Sequence, residues 1–214
     1  IRDRNSEVLR FFNENYTPGR VCLIGADDFI GKLIRFGQSS ITPDKKPSLW
    51  SHAFLMGEKR RDGRDDGSIY IFESDLFADS NSWQIYNGVQ ESRLVKWCKD
   101  SIEHACVLGM DINQEEQSSL LSKALEFAYD EKRLRYPVGE LFGTFWALLT
   151  RQFNKKNIFD DKYAVQCATF VRMCYQYIEK DFLPEDIDLT HSSPETIHQS
   201  QIFSYRKEWH RSND

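Results

Sequence analysis

The 214-residue chain reads as an α+β domain, a small antiparallel sheet from the middle of the sequence packed against helices that flank it along the chain. Three observations predict this. Two short apolar runs, 52–56 and 69–73, flank a polar tract of Gly, Asp and Arg, the pattern of a hairpin. Asn113-Gln114-Glu115-Glu116 has the form of a capping box and opens a run with apolar residues at helical spacing: Leu120, Leu121, Ala124, Leu125, Phe127 and Ala128. A second amphipathic helix follows Cys167, with Phe170, Val171, Cys174, Tyr177 and Ile178 on one face.

The remaining elements follow in order. Glu7 to Phe12 forms a helical lead-in, closed by the turn residues Thr17-Pro18-Gly19. Arg20 to Gly25 is a short buried strand. Asp27 or Asp28 caps a helix through Phe36, with Ile30, Leu33 and Ile34 at helical spacing. Ser39 to Ser48, with its two prolines, is a loop. Trp83 to Trp97 mixes strand and helix features, and Ala105 to Met110 is another strand. Gly139 to Phe153 reads as a buried helix; the alternative for Leu141 to Leu149 is a lipid-contacting or substrate-covering flap. Thr190 to Glu195 is a capped start to a short helix with Pro194 in its first turn. Gln201 to Tyr205 is a final strand. Neither repeats nor a linker interrupt the chain, which reads as one domain, 1–214.

Composition excludes several classes. Net charge is −5 and basic residues are scattered, so nucleic-acid binding is not indicated. No stretch has the length to span a bilayer as a helix. The five cysteines form no Cys-x-x-Cys pair and their number is odd, which suggests neither a disulfide framework nor a zinc ribbon. The histidines show no metal-type spacing, so no metal or cofactor is expected; His104 falls in a polar connection and His210 in a frayed tail. The chain opens at Ile1 rather than Met, with no charged and apolar leader, so the expectation is a segment removed upstream and an open compartment.

The chemistry centres on Cys167. A cysteine at a helix start is favoured as thiolate by the helix dipole, and the N–H groups there can hold an oxyanion. Cys174, two turns on, reads as core. His52, after Trp50-Ser51, is the candidate base. If the hairpin pairs end to end, 56 lies opposite 69 and 52 opposite 73, which places Glu73 beside His52 as its orienting group. A one-residue slip would break that pairing. Asp75, on the same strand face, is the reserve.

The order of parts resembles a known family. Trp-Ser-His-Ala opens one strand and Ile-Phe-Glu lies on the next. Asn-Gly-Val-Gln, Arg-Leu-Val-Lys-Trp, Tyr136-Pro137, an apolar segment and Gln-Cys-Ala-Thr-Phe-Val follow. This is similar to the circularly permuted branch of the NlpC-type papain-like cysteine hydrolases, which holds permuted bacterial amidases and peptidases and is related to lecithin retinol acyltransferase-like proteins. The His-before-Cys order is that of the permuted branch, and the resemblance spans roughly residues 18–200. It implies a permuted papain-like fold with the nucleophile at a helix N-terminus, Cys167 as nucleophile, His52 as base and then acid, and Glu73 as orienter. It also implies an oxyanion or substrate role for Tyr136, Gln166 and Ala168. The common motif of the branch has Ser after the cysteine where this chain has Ala168.

The expected function is cleavage of an amide bond in a peptide or a peptidoglycan stem peptide. The resemblance points to the cell envelope, the periplasm or a secreted antibacterial effector. Two alternatives stand beside it: an acyltransferase or lipid or thioester hydrolase with the same dyad, and a binding module without catalysis.

Overall fold

A computed structural model describes residues 2–60, 68–79, 84–129, 164–183 and 192–212. It is an α+β structure built on one six-stranded antiparallel sheet. The strands are β1 (Val21–Ala26), β2 (His52–Arg60), β3 (Ser68–Asp79), β4 (Gln84–Arg93), β5 (Ile102–Gly109) and β6 (Tyr205–His210), in the spatial order β4-β3-β2-β1-β5-β6. The helices are α1 (Arg2–Glu14), α2 (Phe29–Gly37), α3 (Gln114–Tyr129), α4 (Ala164–Tyr177) and α5 (Pro194–Gln199).

Helices cover both faces of the sheet. On one face, α3, α4 and α5 pack over Val21, Leu23, Ala53, Leu55, Phe72, Cys106 and Leu108. On the other, Val8 and Phe12 of α1 and the short turn Leu94–Trp97 pack over Cys22, Ile24, Phe54, Met56, Ile71 and Val107. Central β1 is therefore buried at all six positions, which is why it reads as a continuous apolar run rather than an alternating one. At Gly25 a Cβ would lie 2.0 Å from the Leu49 carbonyl oxygen, so only glycine lets the segment leading to β2 pass so close.

The caps work as their residue types dictate. Asp28, not Asp27, caps α2 by accepting from the Gly31 N–H. Asn113 accepts from the Glu115 and Glu116 N–H groups while Glu116 reaches back to the Asn113 N–H, the reciprocal pair of a capping box. Ser193 caps α5 with Pro194 in its first turn.

Several expectations are corrected. On α2, whose apolar spacing marks a helix, only Gly31 is fully buried; Leu33 and Ile34 are half-buried, and Phe29, Ile30 and Phe36 are 59%, 68% and 64% exposed. On α3, Leu125 faces solvent. On α4 Tyr177 is exposed and Tyr175 is buried instead: the buried positions are 167, 168, 170, 171, 174 and 175, and 177 lies off that face. The mixed strand and helix character of Trp83 to Trp97 is borne out: Gln84–Arg93 is a strand and Leu94–Trp97 a short helical turn. The last strand begins at Tyr205, where the sequence reading ended it, and contains His210; His104 lies in β5 directly opposite. The segments Gly139 to Phe153 and Thr190-His191 lie outside the described residues.

Candidate active site

His52 is the first residue of β2, at an end of the sheet. The segment before it is pinned from two sides. Ser51 Oγ accepts from the Ala26 N–H (2.9 Å) and donates to the Ile24 carbonyl (3.2 Å). The Gln38 amide donates to the Trp50 carbonyl (2.7 Å) and accepts from the Glu195 N–H (2.9 Å), while Ser48 Oγ donates to Glu195 Oε2 (2.6 Å). Trp50 is buried, so the Trp-Ser-His run is fixed by both packing and hydrogen bonds.

The β2–β3 register differs from end-to-end pairing. Phe54 lies opposite Glu73 and Met56 opposite Ile71, with an irregularity between Met56 and Lys59. The offset is two residues, and an even offset keeps every side chain on its expected face. Glu73 is thus a diagonal neighbour of His52, and the same register continued puts Asp75 across from it. The Glu73 side chain still makes the contact: His52 Nε2 lies 3.0 Å from Glu73 Oε2.

Glu73 is fully buried and held by three donors. Oε2 accepts from His52 and from Trp97 Nε1 (2.7 Å), and Oε1 accepts from Lys96 Nζ (2.7 Å). Lys96 Nζ also donates to Asp75 Oδ2 at 2.7 Å. The His52 ring lies over Trp97, with centroids 4.7 Å apart and planes 36° apart. Asp75 therefore joins the site through Lys96 as well as through its charge on His52. The sequence reading missed the parts played by Lys96 and Trp97. A carboxylate flanked by Ile71 and Phe72 in a strand needs buried donors, but nothing in the sequence says that the turn after β4 supplies them.

Cys167 approaches from α4. The α4 side of the sheet takes Ala53 and Leu55, whereas Phe54 and Met56 face α1. His52 has the parity of Phe54, yet at the strand's first position it lies near enough to Cys167 for the cysteine to act on its ring. Nε2 is taken by Glu73, which leaves Nδ1 for the sulfur. Cys167 is 3% exposed and His52 8%, so the pair is nearly sealed from water.

Burial alone would lower the pKa of His52. The Cys167 charge, the hydrogen bonds to Cys167 and Glu73, and the Asp75 charge outweigh it and raise the ring from 6.5 to about 10. Burial would raise Glu73; the hydrogen bond from His52 and the Lys96 charge outweigh that and bring it from 4.5 to about 2. A carboxylate with that value only accepts, so the hydrogen between the two belongs to Nε2. Burial pushes the other thiols up: Cys98 to about 12, and Cys22, Cys106 and Cys174 well above the usual range.

Cys167 is the fourth residue of α4, three past Ala164. The backbone N–H groups with no acceptor inside the helix are therefore those of Ala164, Val165 and Gln166. Ala168 is fully buried and one position deeper, so its N–H belongs to the helical ladder. Gln166 contributes backbone at the helix start, and Tyr136 lies outside the described residues. A cavity of about 440 Å³ lined by Gly19, Arg20, Asp111, Gln117, Tyr175 and Tyr205, among others, shares no residue with the Cys167–His52–Glu73 group. No family model matches the chain, and no curated protein matches it.

Proposed function

We propose that the chain is a cysteine hydrolase that cleaves an amide bond through Cys167, His52 and Glu73, on a permuted papain-like arrangement of the NlpC type. One observation carries the reading: the His52 ring is hydrogen-bonded to a buried carboxylate and feels the charge of a cysteine beside it. Glu73 fixes the ring and favours its protonated form, and a protonated ring beside the sulfur favours the thiolate.

The steps follow from these roles. The Cys167 thiolate attacks the carbonyl carbon, and the negative charge moves to the carbonyl oxygen, where the free N–H groups of the first turn of α4 receive it. As the tetrahedral centre collapses the C–N bond breaks, and the leaving amine takes the proton from His52. Neutral His52 then removes a proton from water, which attacks the thioester. The acid leaves, and the proton returns the site to its resting ion pair. The substrate class we assign is a peptidoglycan stem peptide or a related isopeptide. Muropeptide profiling of purified peptidoglycan, incubated with wild type and Cys167→Ala, tests it. New products that need Cys167 are expected; identical profiles contradict the assignment.

A second reading, acyl transfer or hydrolysis of a lipid ester or thioester by the same dyad, has the exposed Phe29, Ile30 and Phe36 of α2 behind it. Cys167-dependent turnover of vesicle phospholipid with intact peptide substrates would replace the first reading with this one.

A further inference from the structure

A second cluster of titratable side chains lies at the other end of the sheet order. The β5–β6 register sets Cys106 opposite Glu208 and His104 opposite His210 on one face, and α5 places His198 over them. Three of the chain's five histidines thus converge on one glutamate and one cysteine. His198 Nε2 lies 2.8 Å from Glu208 Oε1, and His210 Nε2 lies 3.3 Å from Glu208 Oε2. Cys106 Sγ, a His198 ring nitrogen and a Glu208 oxygen all lie within 4.8 Å of one another. Trp50 walls the cluster, with its ring centroid 5.0 Å from that of His198.

We propose that Cys106, His198 and Glu208 form a binding site for a divalent cation of the zinc class, in which one coordination position stays open to solvent. The donor set decides the class. A thiolate sulfur, an imidazole nitrogen and a carboxylate oxygen suit zinc, whereas magnesium and calcium take oxygen donors. Bond lengths of about 2.0–2.3 Å put the ligand atoms of a tetrahedral zinc about 3.3–3.8 Å apart. The 2.8 Å contact opens slightly and the widest separation closes by about 1 Å, both within the reach of side-chain rotation.

The surroundings supply what such a site needs. Glu208 Oε2 is held by His210, and His210 Nδ1 meets His104 Nδ1 at 3.0 Å, a chain that orients the carboxylate from behind. Arg206 donates to the carbonyls of His198 (2.7 Å) and Ser200 (3.2 Å), so α5 is fastened to β6 without any ion. The Arg206 guanidinium lies 3.8 Å from Glu208 Oε1. The dication is balanced by the thiolate and the carboxylate. On binding, the Cys106 thiol proton goes to buffer and the hydrogen on His198 Nε2 moves to Nδ1 or to solvent. The bound ion ties α5, β5 and β6 together across more than 100 residues of sequence.

The test uses the Cys167→Ala chain, in which the other proposed reactive thiol cannot compete for metal. Calorimetric titration with zinc is expected to give one site per chain, and cobalt is expected to give a sulfur-to-metal charge-transfer absorption. His198→Ala and Cys106→Ser each weaken zinc binding at least tenfold, and Cys106→Ser removes the absorption. His198 is partly exposed, so that variant remains informative if the buried Cys106 substitution fails to fold. The proposal is overturned if the parent chain takes up no stoichiometric zinc, or if either folded variant binds it within tenfold of the parent.

Discussion

The two ends of the sheet hold the same three residue types in opposite states. At the β2–β3 end, Glu73 is 0% exposed and accepts from His52, Lys96 and Trp97. At the β5–β6 end, the Glu208 side chain is 29% exposed and is shared among His198, His210 and Arg206. Closure fixes protonation: a carboxylate near 2 and an imidazole near 10 keep their charges across the neutral range. At the second end Glu208 and His198 are partly exposed, so solvent and ions reach the carboxylate although Cys106 is buried. The chemistry of a Cys-His-Glu set is decided by who else touches the carboxylate.

The sharpest ways to break this contrast are at the closed end. Cys167→Ala is expected to reduce amide hydrolysis by a factor of about 10³ or more, read as initial rates on a cleaved peptide. His52→Ala should cost about 10²–10⁴ in kcat, the usual worth of a general acid and base. Glu73→Gln should lower kcat by a comparable factor, because an amide no longer dictates which ring nitrogen carries the hydrogen. It should also destabilise the fold by roughly 3–5 kcal/mol, since His52 and Lys96 lose a buried partner. Chemical denaturation checks that second effect.

The linkage to pH has a definite sign. Glu73 is depressed, so its stabilisation is present above its unfolded value of 4.5 and is lost as pH falls through about 2. His52 is raised, so its contribution is complete below 6.5 and is lost as pH rises through about 10. The pair therefore stabilises most between pH 4.5 and 6.5, and Glu73→Gln should flatten the stability profile on both sides. At the open end the expected effect is smallest. Without metal, His198→Ala should change stability by less than about 1 kcal/mol, as expected for a partly exposed ion pair. Saturating zinc should then raise the melting temperature of the parent chain and leave the variant unmoved.

Much of the closed end was legible in the sequence, because a hairpin conveys side-chain parity even when its register is wrong. Counting end to end put Glu73 opposite His52, and the observed pairing of Phe54 with Glu73 differs from that by two residues, which leaves the faces unchanged. Lys96 and Trp97 were illegible, since a turn after β4 carries no periodic signal that it folds onto a neighbouring strand. The open end was hidden for a different reason. Its ligand atoms come from residues 106, 198 and 208, with no local spacing to reveal them. Edge strand β6 reads Tyr-Arg-Lys-Glu-Trp-His, and charges of this kind, which protect a sheet edge, mask strand character. On α2 the helix itself was legible but its apolar stripe was not core, because spacing alone does not say whether another element covers a face.

The most direct test of the Cys167–His52–Glu73 site is competitive alkylation of the native chain with iodoacetamide at pH 6, mapped by peptide mass. Among the five cysteines, Cys167 should be labelled first, ahead of Cys98, whose thiol burial pushes to about 12. His52→Ala should slow labelling of Cys167 at least tenfold. Labelling of Cys167 no faster than Cys98, or at an unchanged rate in His52→Ala, would contradict an activated nucleophile at this site.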